Sequence, residues 1–263
     1  ATRYGVGSGA SAYVSGYSPA QQALEEELAA YVQRPRALVF GSGYLANLGT
    51  LSALLTRHDV VLADRLCHAS LLDGVRLAGA QLRRYPHRDL TALAQQLATS
   101  GPRCWVITDS IFSMDGDWAP LPALAQLCQQ VGARLYVDDA HGLGVVGPQG
   151  RGALAALQLD TEAVPLALGA LGKALGVMGA FVSGSEAWLD VLVQQARTAI
   201  YSTALPPALA EAARVALRLA QAETWRREHL HALITHFQTG AAALALPILP
   251  SDTPIQPVWV GDN

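Results

Sequence analysis

The chain has 263 residues, 51% of them hydrophobic and 15% charged, with a formal net charge of −3. That length suits one large domain or two smaller ones, and so apolar a composition excludes a disordered chain. There is no basic block, no apolar window of the ~18 residues a membrane span needs, and no start resembling a signal peptide, so the expectation is a soluble cytoplasmic protein that binds neither nucleic acid nor membrane.

Short apolar runs alternate with amphipathic stretches, the βαβ pattern of a mostly parallel sheet flanked by helices. A capping box opens the first helix, with Ser18 as N-cap, Pro19 at the first helical position and Gln21 three residues after the cap. The strand ALVF (37–40) runs into GSGYLANLGTLSALL, a glycine-rich turn that starts a helix. VVLA (60–63) is the next strand, with a helix from about His68, then the strand QLRRY and the helix LTALAQQLA. CWVIT (104–108) ends at Asp109 and leads into the loop SIFSMDGDWAP and the helix LPALAQLCQQV. RLYV (134–137) ends in Asp138-Asp139-Ala140-His141, and the strand AVPLAL precedes the segment GALGKALGVMGAFV. Helices are expected over about 186–198 and 206–237, and the closing IQPVWVGDN reads as the start of a new strand unit. Residues 1–219 are expected to form a large domain and 220–263 the beginning of a smaller α+β domain.

The three cysteines, Cys67, Cys104 and Cys128, are odd in number and far apart, which fits buried free thiols and neither a zinc site nor a disulfide framework; no metal is expected. The basic residues are more informative. Of 18, 17 are arginine, and Lys173 is the one lysine. Arginine meets most demands for positive charge, but it cannot lose its proton near neutral pH and attack a carbonyl as a free amine. Lys173 is therefore a candidate nucleophile.

Polar residues gather just after the expected strands: Gly41-Ser42-Gly43, His68, Asp109 to Asp115, Asp138 to His141, and Lys173. In an open α/β sheet, ligands sit beyond the carboxyl ends of the strands, so these distant stretches are expected to meet. GSGYLAN offers backbone amides at a helix start, which suits a phosphate. GLGVVG, with Gly142, Gly144 and Gly147, fits the dinucleotide pattern G-x-G-x-x-G, but Pro148-Gln149-Gly150-Arg151 follows and cannot open the helix that pattern requires. A lone amine, a phosphate-binding turn and an aspartate ending an apolar strand point instead to pyridoxal phosphate (PLP). The lysine would hold the cofactor as a Schiff base and the aspartate would keep its pyridine nitrogen protonated.

The motifs GVGSGASAYVSGYS, DRLCHASLLDG, SIFSMDGDWAPL, VDDAHGLGVVGPQGRG, LGKALGVMGA and IYSTALPPA resemble those of the α-oxoamine synthases, a fold-type-I PLP family, over essentially the whole chain. The resemblance implies a fold-type-I large domain and a site in which Lys173 forms the Schiff base and then acts as base at the substrate Cα. It implies that Asp138 pairs with the pyridine nitrogen, that His68 stacks on the ring, and that His141 and Ser113 hydrogen-bond around the ring and its phenolic oxygen. It also implies that Gly43 and Tyr44 present backbone to the phosphate. Ser202 and Thr203 match a motif that reaches the phosphate of a neighbouring subunit, so a homodimer with shared active sites is implied. VSGYS, DDAHG and IQPVWVGDN favour the member of biotin biosynthesis that condenses L-alanine with a pimeloyl thioester, of coenzyme A or an acyl-carrier protein. Glycine-using relatives, or a non-catalytic member of the family, are the alternatives.

Two departures from the family pattern stand out. Ala170 occupies the position, three residues before the lysine, where relatives carry threonine or serine, so a phosphate hydrogen bond is missing there and weaker PLP affinity is expected. Gln21 stands where a histidine is usual. The N-terminal arm and most of the C-terminal domain, with the arginine that would grip the alanine carboxylate, are expected outside the chain.

Overall fold

The computed structural model describes residues 1–261; the last two residues of the closing IQPVWVGDN segment lie outside the described residues. In chain order the elements are α1 (Pro19–Tyr31), β1 (Arg36–Phe40), α2 (Gly43–Leu54), β2 (Val60–Asp64), α3 (Ala69–Ala78), β3 (Gln81–Tyr85), α4 (Leu90–Ala98), β4 (Cys104–Asp109), α5 (Leu121–Val131), β5 (Arg134–Asp138), α6 (Ala153–Ala156), β6 (Leu166–Ala170), β7 (Ala180–Gly184), α7 (Glu186–Gln195), α8 (Arg197–Ile200), α9 (Pro207–Ala222) and α10 (Trp225–Ala243).

Strands that are apolar on both faces need cover on both faces, and the helices supply it. The seven strands form one sheet in the order β1-β7-β6-β5-β4-β2-β3. One side chain set, with Val61, Trp105, Ile107, Leu166 and Val182, packs against residues of α2, α3 and α7. The opposite set packs against α4, α5 and α6 through Leu62, Val106, Leu135 and Val137, and against α1 and α9 through Val39 and Phe181. The β3-β2-β4-β5-β6 pairings are parallel. β7 is antiparallel to both β1 and β6. Its reversal follows from its connection: the lysine segment returns from β6 through a short turn, which is too brief for the crossover that a parallel neighbour needs.

Local chemistry sets several helix starts. Ser42 Oγ accepts from the Leu45 amide and Asp89 Oδ1 from the Ala92 amide. The capping box at α1 forms by half. Ser18 Oγ accepts from the Gln21 amide, but the Gln21 side chain donates to Glu25 instead of reaching back to the cap. The reciprocal arm would need Gln21 Oε1 to accept from the Ser18 amide, whereas here the amide group is turned to donate to Glu25, one turn along the same face.

Three expected elements differ. The helix expected over 206–237 is two helices, because the backbone leaves helical geometry at Glu223 (φ −100°, ψ 73°) and α10 then continues to Ala243. The one expected over 186–198 breaks at the buried Ala196 (φ −72°, ψ 94°) into α7 and α8. The closing segment contributes a single bridge, Ile248 to Val258, among the described residues. Cys67, Cys104 and Cys128 are buried free thiols, and no helix among the described residues is long and apolar enough to cross a membrane.

Candidate active site

All five polar stretches after the strands contribute residues to one cavity of about 330 Å3 at the carboxyl edge of the parallel strands. Ser42, Gly43 and Tyr44 open α2 on one side of it, and His68 precedes α3. Asp109 and Asp138 end the neighbouring strands β4 and β5 in direct register. Ala170 ends β6, His141 follows β5, and Lys173 projects from the β6–β7 turn.

That turn is tightly closed. The Leu171 amide donates to the Gly179 carbonyl and the Val177 amide to the Leu171 carbonyl, both at 2.9 Å. The glycines of GLGVVG serve this packing. Gly144, at φ +81°, lies where a Cβ would come within 2.6 Å of the Ala174 methyl. A Cβ on Gly142 would strike the Asp139 carboxylate. The segment continues into a single 3-10 turn, Pro148–Gly150, so it opens no dinucleotide-binding helix.

Lys173 Nζ lies 2.7 Å from His141 Nε2. Desolvation lowers the lysine's proton affinity, and the charges of Asp138 and Asp109 oppose it without cancelling it. Desolvation, then the charges of Lys173 and His68, push His141 down to about 4, so its imidazole is neutral at physiological pH. Burial, then the neighbouring Asp138 charge, raise Asp109 well above the usual carboxylate range. Asp138 is held by two donors: the Ala140 amide to Oδ1 at 3.0 Å and Asn47 Nδ2 to Oδ2 at 2.7 Å.

Gly43, Tyr44, His68, Asp138, His141 and Lys173 all line this cavity. Ser113, Ser202 and Thr203 do not. Ser113 is half-buried on the 110–119 loop, which is tied down where Asp117 pairs with His87 at 3.0 Å. Thr203 is exposed and forms an isolated bridge with Ser11. Asn47 and Ser70, which no motif singled out, are buried behind the cavity wall or on it. The available signal was a polar residue one turn into an otherwise small and apolar helix.

The residues fit PLP. The Gly43 and Tyr44 amides belong to the first turn of α2, where no intrahelical carbonyl can satisfy them, and a Cβ built on Gly43 would meet nothing within 4 Å. An amine for the aldehyde, a carboxylate for the pyridine nitrogen and an imidazole for the ring face surround the same space. Ala170, buried at the cavity edge, offers no hydroxyl. An Ala170→Thr variant is expected to bind PLP more tightly, by ~1–3 kcal/mol or roughly 5–150-fold, in a titration of the cofactor-free protein. An unchanged Kd would show that another donor already serves the phosphate.

A sheet in this order, with its single lysine on the turn before an antiparallel strand, defines the class as fold-type-I PLP enzymes. The family described as aminotransferase class I and II matches residues 6–263. The chain belongs to that family and, within it, to the 8-amino-7-oxononanoate synthases. It is 55% identical over 260 residues to the 8-amino-7-oxononanoate synthase of Nitrosococcus oceani, covering 98% of this chain and 69% of that protein. The structure of 8-amino-7-oxononanoate synthase from Francisella tularensis superposes with a TM-score of 0.85 at 34% identity, covering 99% of this chain and 74% of that one. Serine palmitoyltransferase from S. paucimobilis, with a bound PLP-myriocin aldimine, superposes with a TM-score of 0.95 at 27% identity, over 100% of this chain and 69% of that one.

Proposed function

We propose that this protein condenses L-alanine with a pimeloyl thioester, of coenzyme A or an acyl-carrier protein, to give 8-amino-7-oxononanoate, carbon dioxide and the free thiol carrier, a step of biotin biosynthesis. The observation that carries the reading is the lone lysine, held 2.7 Å from a neutral histidine in a cavity that also holds a buried aspartate. Bound PLP supplies an electron sink for negative charge at the alanine Cα.

The chain's own residues supply the rest. Lys173 Nζ, with its proton affinity lowered by desolvation, holds the cofactor and then takes the proton from the alanine Cα. After carbon dioxide leaves, the same amine returns a proton to that carbon, so one group serves two steps. His141 lies within hydrogen-bond reach and orients the amine. Asp138 holds a proton on the pyridine nitrogen, and His68 covers one face of the ring. Gly43 and Tyr44 hold the phosphate through their amides. Ser113, outside the cavity lining, would serve the phenolic oxygen only if its 110–119 loop moved toward the bound cofactor, and Ser202 and Thr203 reach the phosphate of a second subunit in a homodimer. Their position outside this chain's own cavity is compatible with that role.

The test is release of free thiol by the PLP-loaded protein supplied with pimeloyl-CoA and either alanine or glycine. Alanine is expected to be favoured by roughly 10–200-fold, the discrimination one methyl group allows. Turnover with glycine alone would reassign the protein to the glycine-using relatives. No near-visible absorption with PLP and no turnover would remove the reading altogether.

A further inference from the structure

Asn47 lies on the second turn of α2, fully buried, and touches none of the groups that would react. It nevertheless bonds to three of the residues around them. Its Nδ2 donates to Asp138 Oδ2 at 2.7 Å and to Ser70 Oγ at 2.8 Å, and its Oδ1 accepts from Tyr136 Oη at 2.9 Å. The amide sits one way round. Asp138 Oδ2 and Ser70 Oγ both accept from the NH2 end, and the Tyr136 hydroxyl then finds the oxygen.

The consequence runs on to His68. Ser70 Oγ has accepted from Asn47, so its one proton is free to donate. The partner on that side is His68 Nδ1, at 2.7 Å. The Ser70 amide also donates to Nδ1, at 3.3 Å. Nδ1 is therefore an acceptor, and the proton of the neutral imidazole sits on Nε2. No group among the described residues pairs with Nε2, on a side chain that lines the cavity.

We propose that Asn47 is a positioning residue that joins Asp138 and His68 into one hydrogen-bonded unit. It fixes the orientation of the carboxylate and, through Ser70, holds His68 as the Nε2–H tautomer with a donor available to an acceptor oxygen in the cavity. The proposal rests on the PLP reading for its purpose, but its geometry stands without the cofactor. The unit joins residues on α2, α3 and β5, and the Tyr136 hydroxyl anchors it beneath the sheet edge.

The test compares Asn47→Ala, Ser70→Ala and the parent protein by two readouts. In the cofactor-free protein, nitrogen-detected NMR of the imidazole is expected to show His68 as the Nε2–H tautomer in the parent and a tautomer mixture in both variants. In the PLP-loaded protein, the pH dependence of the near-visible band is expected to shift in Asn47→Ala but not in Ser70→Ala, which breaks only the histidine arm. PLP affinity in Asn47→Ala is expected to weaken by roughly 10–100-fold, the loss of a hydrogen bond to a charged group. If Asn47→Ala does not fold, Tyr136→Phe removes only the hydroxyl that orients the amide and is read the same way. An unaltered His68 tautomer with an unaltered band titration in the variants would overturn the proposal. A parent protein that binds no PLP would remove the functional reading, while the NMR comparison would still decide the role of Asn47.

Discussion

Lys173→Ala is expected to replace the Schiff-base band of the PLP-loaded protein by the shorter-wavelength band of the free aldehyde and to lower product formation by at least ~10^3-fold, since both the covalent attachment and the Cα base are lost together. Lys173→Arg is expected to be equally inactive, although it keeps the positive charge. The chain already carries 17 arginines, and what it has only once is an amine that can give up its proton. PLP binding itself should weaken without vanishing, because the α2 amides and Asp138 remain. Borohydride reduction followed by peptide mass spectrometry checks the assignment directly. A pyridoxyl group should appear on Lys173 in the parent and nowhere in either variant. A variant that kept the band, or a parent labelled elsewhere, would remove Lys173 from the mechanism.

Asp138→Asn is expected to lower turnover by roughly 10^2–10^4-fold, the cost of removing one partner from a buried charge pair once the pyridine nitrogen is protonated opposite it. The change is nearly isosteric and keeps the Ala140 amide contact possible, so the fold should survive. Asp109→Asn supplies the contrast. Asp109 ends the adjacent strand in register with Asp138, but burial, then the Asp138 charge, raise its proton affinity well above the usual carboxylate range. Raised so, Asp109 is the less ready of the two to carry charge opposite the pyridine nitrogen, and an asparagine there is expected to cost under about tenfold. It also keeps an acceptor for the His68 amide, which bonds to Asp109 Oδ2 at 2.9 Å. Side-by-side kinetics of the two variants give the answer. Equal losses would mean that the two carboxylates share the charge and that Asp138 has no special role.

Much of the fold was legible because its signals are local. Apolar runs of strand length, separated by helical stretches, are enough to place β1 to β5 within a residue and β6 within three, and turn chemistry placed the starts of α1 and α2. β7 was not separated from the lysine segment, since a run such as GAFV beside a glycine turn carries no sign of its direction. That direction is set by which edge of β6 is free and how short the turn is. The break at Glu223 was hidden for a similar reason. The alanine-rich stretch before it and the strong helix formers after it favour helix throughout, and no glycine or proline marks the break.

What the sequence determined alone is the kind of chemistry. One lysine among many arginines, an aspartate at the end of an apolar strand and a glycine turn opening a helix are matters of residue type and spacing, and these survive without coordinates. The tertiary structure decided how those groups are tuned. It placed Asp109 against Asp138, so that burial and the neighbouring charge raise the proton affinity of Asp109, and it set His141 against Lys173. It also brought Asn47 to Ser70 and Asp138 across separations of 23 and 91 residues. Hydrogen bonds of that reach have no periodicity and no motif. They exist because three elements pack at one sheet edge, where a buried polar group without a partner would be costly.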